Sequence, residues 1–222
     1  MHPNTPCRVI HCPVASRAAA PGDREEIRGI LGASSSEVVI LAASRLEPWK
    51  GHLELIRALA RLGTRSWTLW IAGGAQRSHE REYAAAIDVE VRRLGLGARV
   101  KLLGERRDIR RLLAGADLLA QANVEPEPFG IIFAEALLAG VPVVTTNMGG
   151  APEIVDNTCG RLVAPGDLEA LAGALEELIS NAPLRAELGA LGPTHAAERC
   201  DPSVVLPRLE AALLSIRVPT AA

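Results

Sequence analysis

The chain has 222 residues, 48 % of them hydrophobic and 23 % charged, which suits one substantial buried core and excludes wholesale disorder. Aromatic residues make up only 3 %, so Ala, Leu, Val and Ile must build that core. A formal charge of −2 with interspersed signs leaves no footprint for nucleic acid or an anionic membrane, so any phosphate recognition has to be local.

Residues 1–22 are rich in Pro and Ala and weakly patterned, with Arg8-Val9-Ile10 as a short candidate strand, and read as a connecting segment. Their start lacks the apolar core of a secretory signal. No later apolar stretch reaches the ~18 residues of a membrane span; Phe129 to Val144 comes nearest and is interrupted by Glu135. Cys7, Cys12, Cys159 and Cys200 show neither CxxC pairing nor the spacing of a disulfide framework. A Cys7/His11/Cys12 metal cluster can be drawn, but free thiols in a reducing compartment are the simpler reading. These features lead us to expect a soluble cytoplasmic protein.

From residue 23 the chain alternates strand and helix. Strands are predicted at Val38–Leu41, Trp67–Ala72, Arg99–Leu103, Asp117–Ala120, Val141–Thr145 and Arg161–Val163. Between and after them the helical patterns are Gly51–Leu62, His79–Leu94, Asp108–Ala114, Gly130–Ala139, Asp167–Ser180, Pro183–Leu191 and Pro202–Ile216. We therefore expect one α/β domain over residues 23–218, followed by a tail at 219–222. Short connections and right-handed crossovers predict a doubly wound, Rossmann-like parallel sheet. In the common strand order 3-2-1-4-5-6 the first and fourth strands are neighbours, and ligands bind in the crevice at their carboxyl ends.

Two segments leave those strands. Ser44-Arg45-Leu46-Glu47-Pro48-Trp49-Lys50-Gly51 sets Arg45 and Lys50 just before a helix, where they could converge on a diphosphate. Read alone, the loop could equally be a solvated turn. Glu125-Pro126-Glu127-Pro128-Phe129-Gly130-Ile131 predicts a helix starting near Gly130, whose first amides form an anion site. Glu135 then lies inside an apolar helix and needs partners, either a ribose diol or a neighbouring loop. Glu127 faces the crevice to bind a sugar, or merely complements the helix dipole. His52 reads as a first-turn helix residue, and His11, His79 and His195 as surface or capping residues.

The run EPFGIIFAEALLAGVPVVTTNMGGAPEIV, with SRLEPWKG upstream and GRLVAPGD downstream, resembles the EX7E signature of retaining glycosyltransferases of the GT-B fold, over about Val38 to Leu178. A lone E-x7-E carries no weight; the ordered set is specific. The resemblance implies that this chain is the C-terminal, donor-binding half of such a fold, taking a nucleoside-diphosphate sugar as substrate. Arg45 and Lys50 would then hold the diphosphate, and Glu127 would act near the transferred sugar. Phe129, Gly130 and Ile131 would lie at the phosphates, Glu135 on the ribose, and Glu105 and Arg106 in the loop that reads the base. Ser44 departs from the Gly often found at its position. Gly73-Gly74 reads as a turn.

The resemblance further implies an oxocarbenium-like transition state with charge growing on the departing diphosphate. Two cations and a helix terminus would stabilise that charge without a metal or other cofactor. The sequence contains no Asp-x-Asp pair to hold a divalent ion. A nicotinamide-dependent dehydrogenase would need Gly-x-Gly-x-x-Gly after the first strand, where Ser-Arg-Leu-Glu-Pro-Trp stands instead. A non-catalytic nucleotide-binding or regulatory module stays open. An N-terminal acceptor-binding domain is the expected partner, so the sequence is expected to be a piece of a longer chain, a split-gene product or one subunit of a pair. Alone it would be inactive or only hydrolytic. That partner could also place the protein peripherally at the inner membrane.

Overall fold

The computed structural model describes residues 8–15, 19–63 and 65–215. Six strands, β1 (Val38–Ala43), β2 (Trp67–Ala72), β3 (Val100–Gly104), β4 (Leu118–Gln121), β5 (Val143–Thr146) and β6 (Gly160–Val163), form one sheet in the order β3-β2-β1-β4-β5-β6. Every pairing is parallel. β1 and β4 are central neighbours, with Ile40 opposite Leu118 and Leu41 opposite Leu119.

β1, β2, β4 and β5 are buried on both faces, which is why they read as largely apolar runs rather than as alternating ones, whereas the edge strands β3 and β6 are partly exposed. One face of β1, Val38, Ile40 and Ala42, joins Leu69 and Ile71 of β2 under α2 (His52–Ala60), α3 (Ser78–Arg93) and α7 (Leu168–Ser180). The other face, Val39, Leu41 and Ala43 with Trp70, packs beneath α1 (Asp23–Ile30), α4 (Ile109–Gly115), α5 (Ile131–Leu138) and α8 (Ala182–Cys200). Each Val, Ile or Leu fully withdrawn from water in these layers contributes about 1.5–3 kcal/mol. A short α6 (Ala151–Ile154) and α9 (Pro202–Leu214) complete the described chain.

Several expectations are corrected. Arg8-Val9-Ile10 is not a strand; residues 8–15 run irregularly, and the Val14 N–H donates to the Cys200 carbonyl at 2.8 Å with the Val14 side chain buried. α1 was not foreseen because only Ile27 of its residues is a buried apolar one; polar anchoring holds it instead. Arg28 is buried and donates to the carbonyls of Gly115, Ser34 and Glu37 and to Asp117. α8 does not stop near Leu191 but continues through Pro193 to Cys200. The four-residue α6 was too short to show a period. Cys7, Ile216, the tail at 219–222 and the start of the expected linker lie outside the described residues. Among the described residues, no helix is long and apolar enough to cross a membrane.

Candidate functional site

The loop leaving β1 passes through Ser44 and Arg45 into a single 3-10 turn, Pro48–Lys50, and then Gly51. Gly51 sits at φ 72°, and a Cβ there would lie 1.6 Å from the carbonyl oxygen of Ala122, just beyond β4. Only glycine allows this loop to press against the neighbouring strand end. The close approach carries Lys50 under β4, where its Nζ lies 2.6 Å from Glu127 Oε2 and 3.9 Å from the centre of the Trp49 ring. Arg45 does not join Lys50. Its largely exposed guanidinium pairs with Glu47 at 3.0 Å, and Trp49 donates to the same carboxylate at 2.7 Å.

Beyond β4 two buried amides complete a cradle for Glu127. Gln121 Nε2 and Asn123 Nδ2 each donate to Glu127 Oε2 at 3.3 Å, and Gln121 also bonds Asn123 Oδ1 at 2.7 Å. The backbone is held as well: Glu127 bridges to Gly149, and the Gly150 N–H donates to the Glu127 carbonyl at 2.7 Å. Gly149 has φ 63°, and a Cβ there would stand 2.2 Å from the Glu127 carbonyl oxygen. Glu127 is thus a buried, multiply held carboxylate ahead of α5, not an acid in that helix's first turn.

α5 begins as expected, with Gly130 as its N-cap and Ile131 as its first residue. The first-turn amides of an α-helix have no intrahelical acceptor, so this terminus can receive an anion. Phe129, which precedes the cap, packs partly into the core and stands 5.8 Å from the His11 ring. Glu135 is half-buried, and desolvation pushes its carboxyl above the usual range.

Two cavities meet over this wall. One of about 370 Å³ is lined by Arg45, Lys50, Glu127, Phe129, Gly130 and Ile131. The other, about 310 Å³, is lined by Gly73, Gly74, Glu105, Arg106, Ile131 and Glu135. Ala43, Ser44, Ile131 and Ile132 border both, making one crevice at the carboxyl ends of the central strands. All the predicted site residues therefore line one continuous crevice. Within it, Arg106 is tied to Asp108 by two hydrogen bonds of 2.7 and 2.6 Å, which raise its pKa. Glu105 is exposed and accepts a 3.4 Å bond from Gln76. Gly73-Gly74 does more than turn the chain: a Cβ on Gly73 would lie 2.1 Å from the Ser44 carbonyl oxygen, so its bare backbone forms part of the crevice floor.

Sequence reasoning missed Gln121 and Asn123, although polar residues at i and i+2 where an apolar strand ends were a usable signal. It also missed how deeply His52 is placed. This first residue of α2 is only 2 % exposed, with Nε2 3.1 Å from Ser44 Oγ and its ring edge-on to Tyr83 at 5.8 Å. Burial, then the charge of Lys50, lowers its pKa from 6.5 to about 4.

Comparison with known proteins adds context to this geometry. The family model for glycosyl transferases group 1 matches residues 23–194. A GDP-mannose-dependent monoacylated alpha-(1-6)-phosphatidylinositol monomannoside mannosyltransferase of Corynebacterium glutamicum is 33 % identical over 186 residues, covering 80 % of this chain and 47 % of its own. HepE of Anabaena, solved in complex with UDP and glucose, superposes with a TM-score of 0.86 at 34 % identity, covering 94 % of this chain and 57 % of its own. The C-terminal domain of a glycosyl transferase group 1 family protein from Francisella tularensis matches in fold, with a TM-score of 0.70 at 22 % identity, covering 86 % of this chain and 95 % of its own. The chain thus has the C-terminal, Rossmann-like half of the GT-B fold, and spans about half the length of the curated relatives it matches.

Proposed function

This chain belongs to the glycosyl transferases group 1 family, and from that premise we propose that it is the donor-binding half of a retaining, metal-independent glycosyltransferase. One observation carries the reading: Lys50, Glu127, the N-terminus of α5 and Glu135 line a single crevice at the switch point of the sheet. In this reading a nucleoside-diphosphate sugar lies along the crevice. Its diphosphate meets Arg45, Lys50 and the amides of Gly130 and Ile131, with Phe129 beside them. Its ribose hydroxyls donate to Glu135, whose raised pKa marks a carboxylate short of partners. Its base lies toward Glu105 and Arg106, and its sugar toward Glu127.

Catalysis then follows from placement. Negative charge grows on the diphosphate as the glycosidic bond breaks, and fixed cations and helix amides stabilise it where it develops. Glu127, held in place by Lys50, Gln121 and Asn123, presents negative charge beside the sugar, where positive charge develops at the anomeric carbon. We assign the acceptor to an N-terminal domain, supplied by the same or another polypeptide, and the reaction to the cytoplasm, where the free thiols of Cys159 and Cys200 are at home.

HepE was solved with UDP, and the Corynebacterium relative depends on GDP-mannose, so both nucleotides belong in the test. Calorimetry in excess EDTA against UDP, GDP, ADP, UDP-glucose and GDP-mannose is expected to give binding to at least one. Failure to bind any of them, in EDTA or with Mn²⁺ or Mg²⁺ supplied, overturns the donor-site reading. Binding that vanishes in EDTA and returns with Mn²⁺ or Mg²⁺ overturns its metal independence.

A further inference from the structure

His52 is buried beside the crevice, and the donor reading gives it no task. Its Nε2 faces Ser44 Oγ at 3.1 Å, and its Nδ1 has no hydrogen-bond partner among the described residues. A neutral imidazole carries one ring proton. A buried N–H without an acceptor is rarer and more costly than an unused lone pair, so the proton belongs on Nε2 and Nδ1 keeps the lone pair. His52 therefore donates to Ser44 Oγ.

That assignment fixes the direction of the serine hydroxyl. Having accepted from His52, Ser44 Oγ has its own proton left to give. Its acceptor within the chain is the Arg45 carbonyl at 3.3 Å, longer than the usual 2.5–3.0 Å of an O–H···O bond. Ser44 directly follows β1, borders both cavities and lies directly before Arg45. Resting on the donor-site reading above, we propose that Ser44 binds a phosphate oxygen of the donor through its hydroxyl, and that His52 is the positioning residue that turns this hydroxyl into the crevice. The lowered pKa of His52 suits the part, since a neutral ring is a fixed donor that adds no charge beside Lys50.

The test is calorimetry of the whole chain with UDP, GDP and ADP, each beside its nucleoside, which lacks the phosphates. Ser44→Ala is expected to weaken the nucleotide that the wild type binds by about tenfold, the size of one hydrogen bond to a charged group, and to leave the nucleoside unchanged. His52→Phe keeps a buried aromatic ring but removes the donor, and should cost the same. Added to Ser44→Ala it should cost nothing more, because the two act through one bond. His52→Gln, whose amide N–H can replace Nε2–H, should restore most of the affinity. If Ser44→Ala binds like the wild type, or His52→Phe weakens binding equally with and without the serine hydroxyl, the inference falls while the donor site stands. A wild type that binds none of the three nucleotides removes both.

Discussion

Lys50 and Glu127 meet at 2.6 Å with both side chains largely buried, so each neutralises the other inside the crevice. In the proposed reading an incoming diphosphate meets Lys50 already held by its partner, with Arg45 and the α5 amides beside it. Removing the Glu127 carboxylate takes no cation or amide from the proposed phosphate site, whereas removing Glu135 takes away the acceptor proposed for the ribose hydroxyls. Glu135→Ala is expected to weaken nucleotide binding by roughly 1–3 kcal/mol. Glu127→Ala should leave nucleotide binding nearly intact and lower transfer in the assembled enzyme. Equal losses of nucleotide affinity in the two variants would contradict this division.

His52 makes a second prediction at the same scale. Folding holds its pKa near 4 against 6.5, so above pH 6.5 the ring is neutral in folded and unfolded chains alike and costs nothing. Between pH 6.5 and about 4 the unfolded chain takes up a proton that the folded chain refuses, and stability is lost progressively as the pH falls. His52→Phe should lack this component. Urea midpoints at pH 7, 5.5 and 4.5 should therefore show the wild type losing ground to the variant with falling pH; a difference independent of pH would refute the assignment. The residues named from the sequence lay on the loops after β1, β3 and β4 and, for Glu135, within α5, where a recognisable order of charges and glycines marked them. Ser44–His52 and the amides on Glu127 were not recognised because nothing marked a hydroxyl eight residues from a histidine, or amides at a strand end, as meeting in a buried site.

Among the elements, the sheet was legible throughout, because the inner parallel strands, covered on both faces, are largely apolar, and even the partly exposed edge strands β3 and β6 keep short apolar runs. What escaped was decided by tertiary contact. The helix expected to end at Leu191 runs on through Pro193 as α8, pressed against the end of α5 by small residues: a Cβ on Gly189 would lie 2.4 Å from the Gly140 carbonyl oxygen, and one on Gly192 would lie 3.0 Å from that of Leu137. The loop between β5 and α6 was read only as part of a signature, whereas its role is mechanical. Gly149 clamps the backbone of Glu127 and so fixes where that carboxylate stands. Gly149→Ala introduces both a left-handed non-glycine residue and a clash. It should lower stability by roughly 1–3 kcal/mol and reduce transfer in the assembled enzyme more than it reduces nucleotide affinity. A variant whose transfer is intact would show that the clamp does not position Glu127.

For the whole molecule, the question is what one half of a cleft can do. The crevice is bounded by β1, β4, the loop after β3 and α5, all from one sheet and its connections. In the proposed reading those elements receive the diphosphate, the ribose and the base, and the acceptor falls to a second domain. An acceptor hydroxyl must be held in line with the anomeric carbon and shielded from water; both effects require a second wall, and positioning of this kind is worth roughly 7–11 kcal/mol in well-oriented reactions. The 222-residue chain by itself should therefore bind donor and release sugar to water slowly, since it carries the groups proposed to stabilise the departing diphosphate. Adding a separately produced N-terminal acceptor domain should raise acceptor-dependent transfer while leaving nucleotide affinity largely unchanged. The measurement is transfer from radiolabelled UDP-glucose and GDP-mannose to a panel of acceptors, with and without that domain. Robust acceptor-dependent transfer by the isolated chain would show that the crevice already holds both substrates, and the division of labour argued here would be wrong.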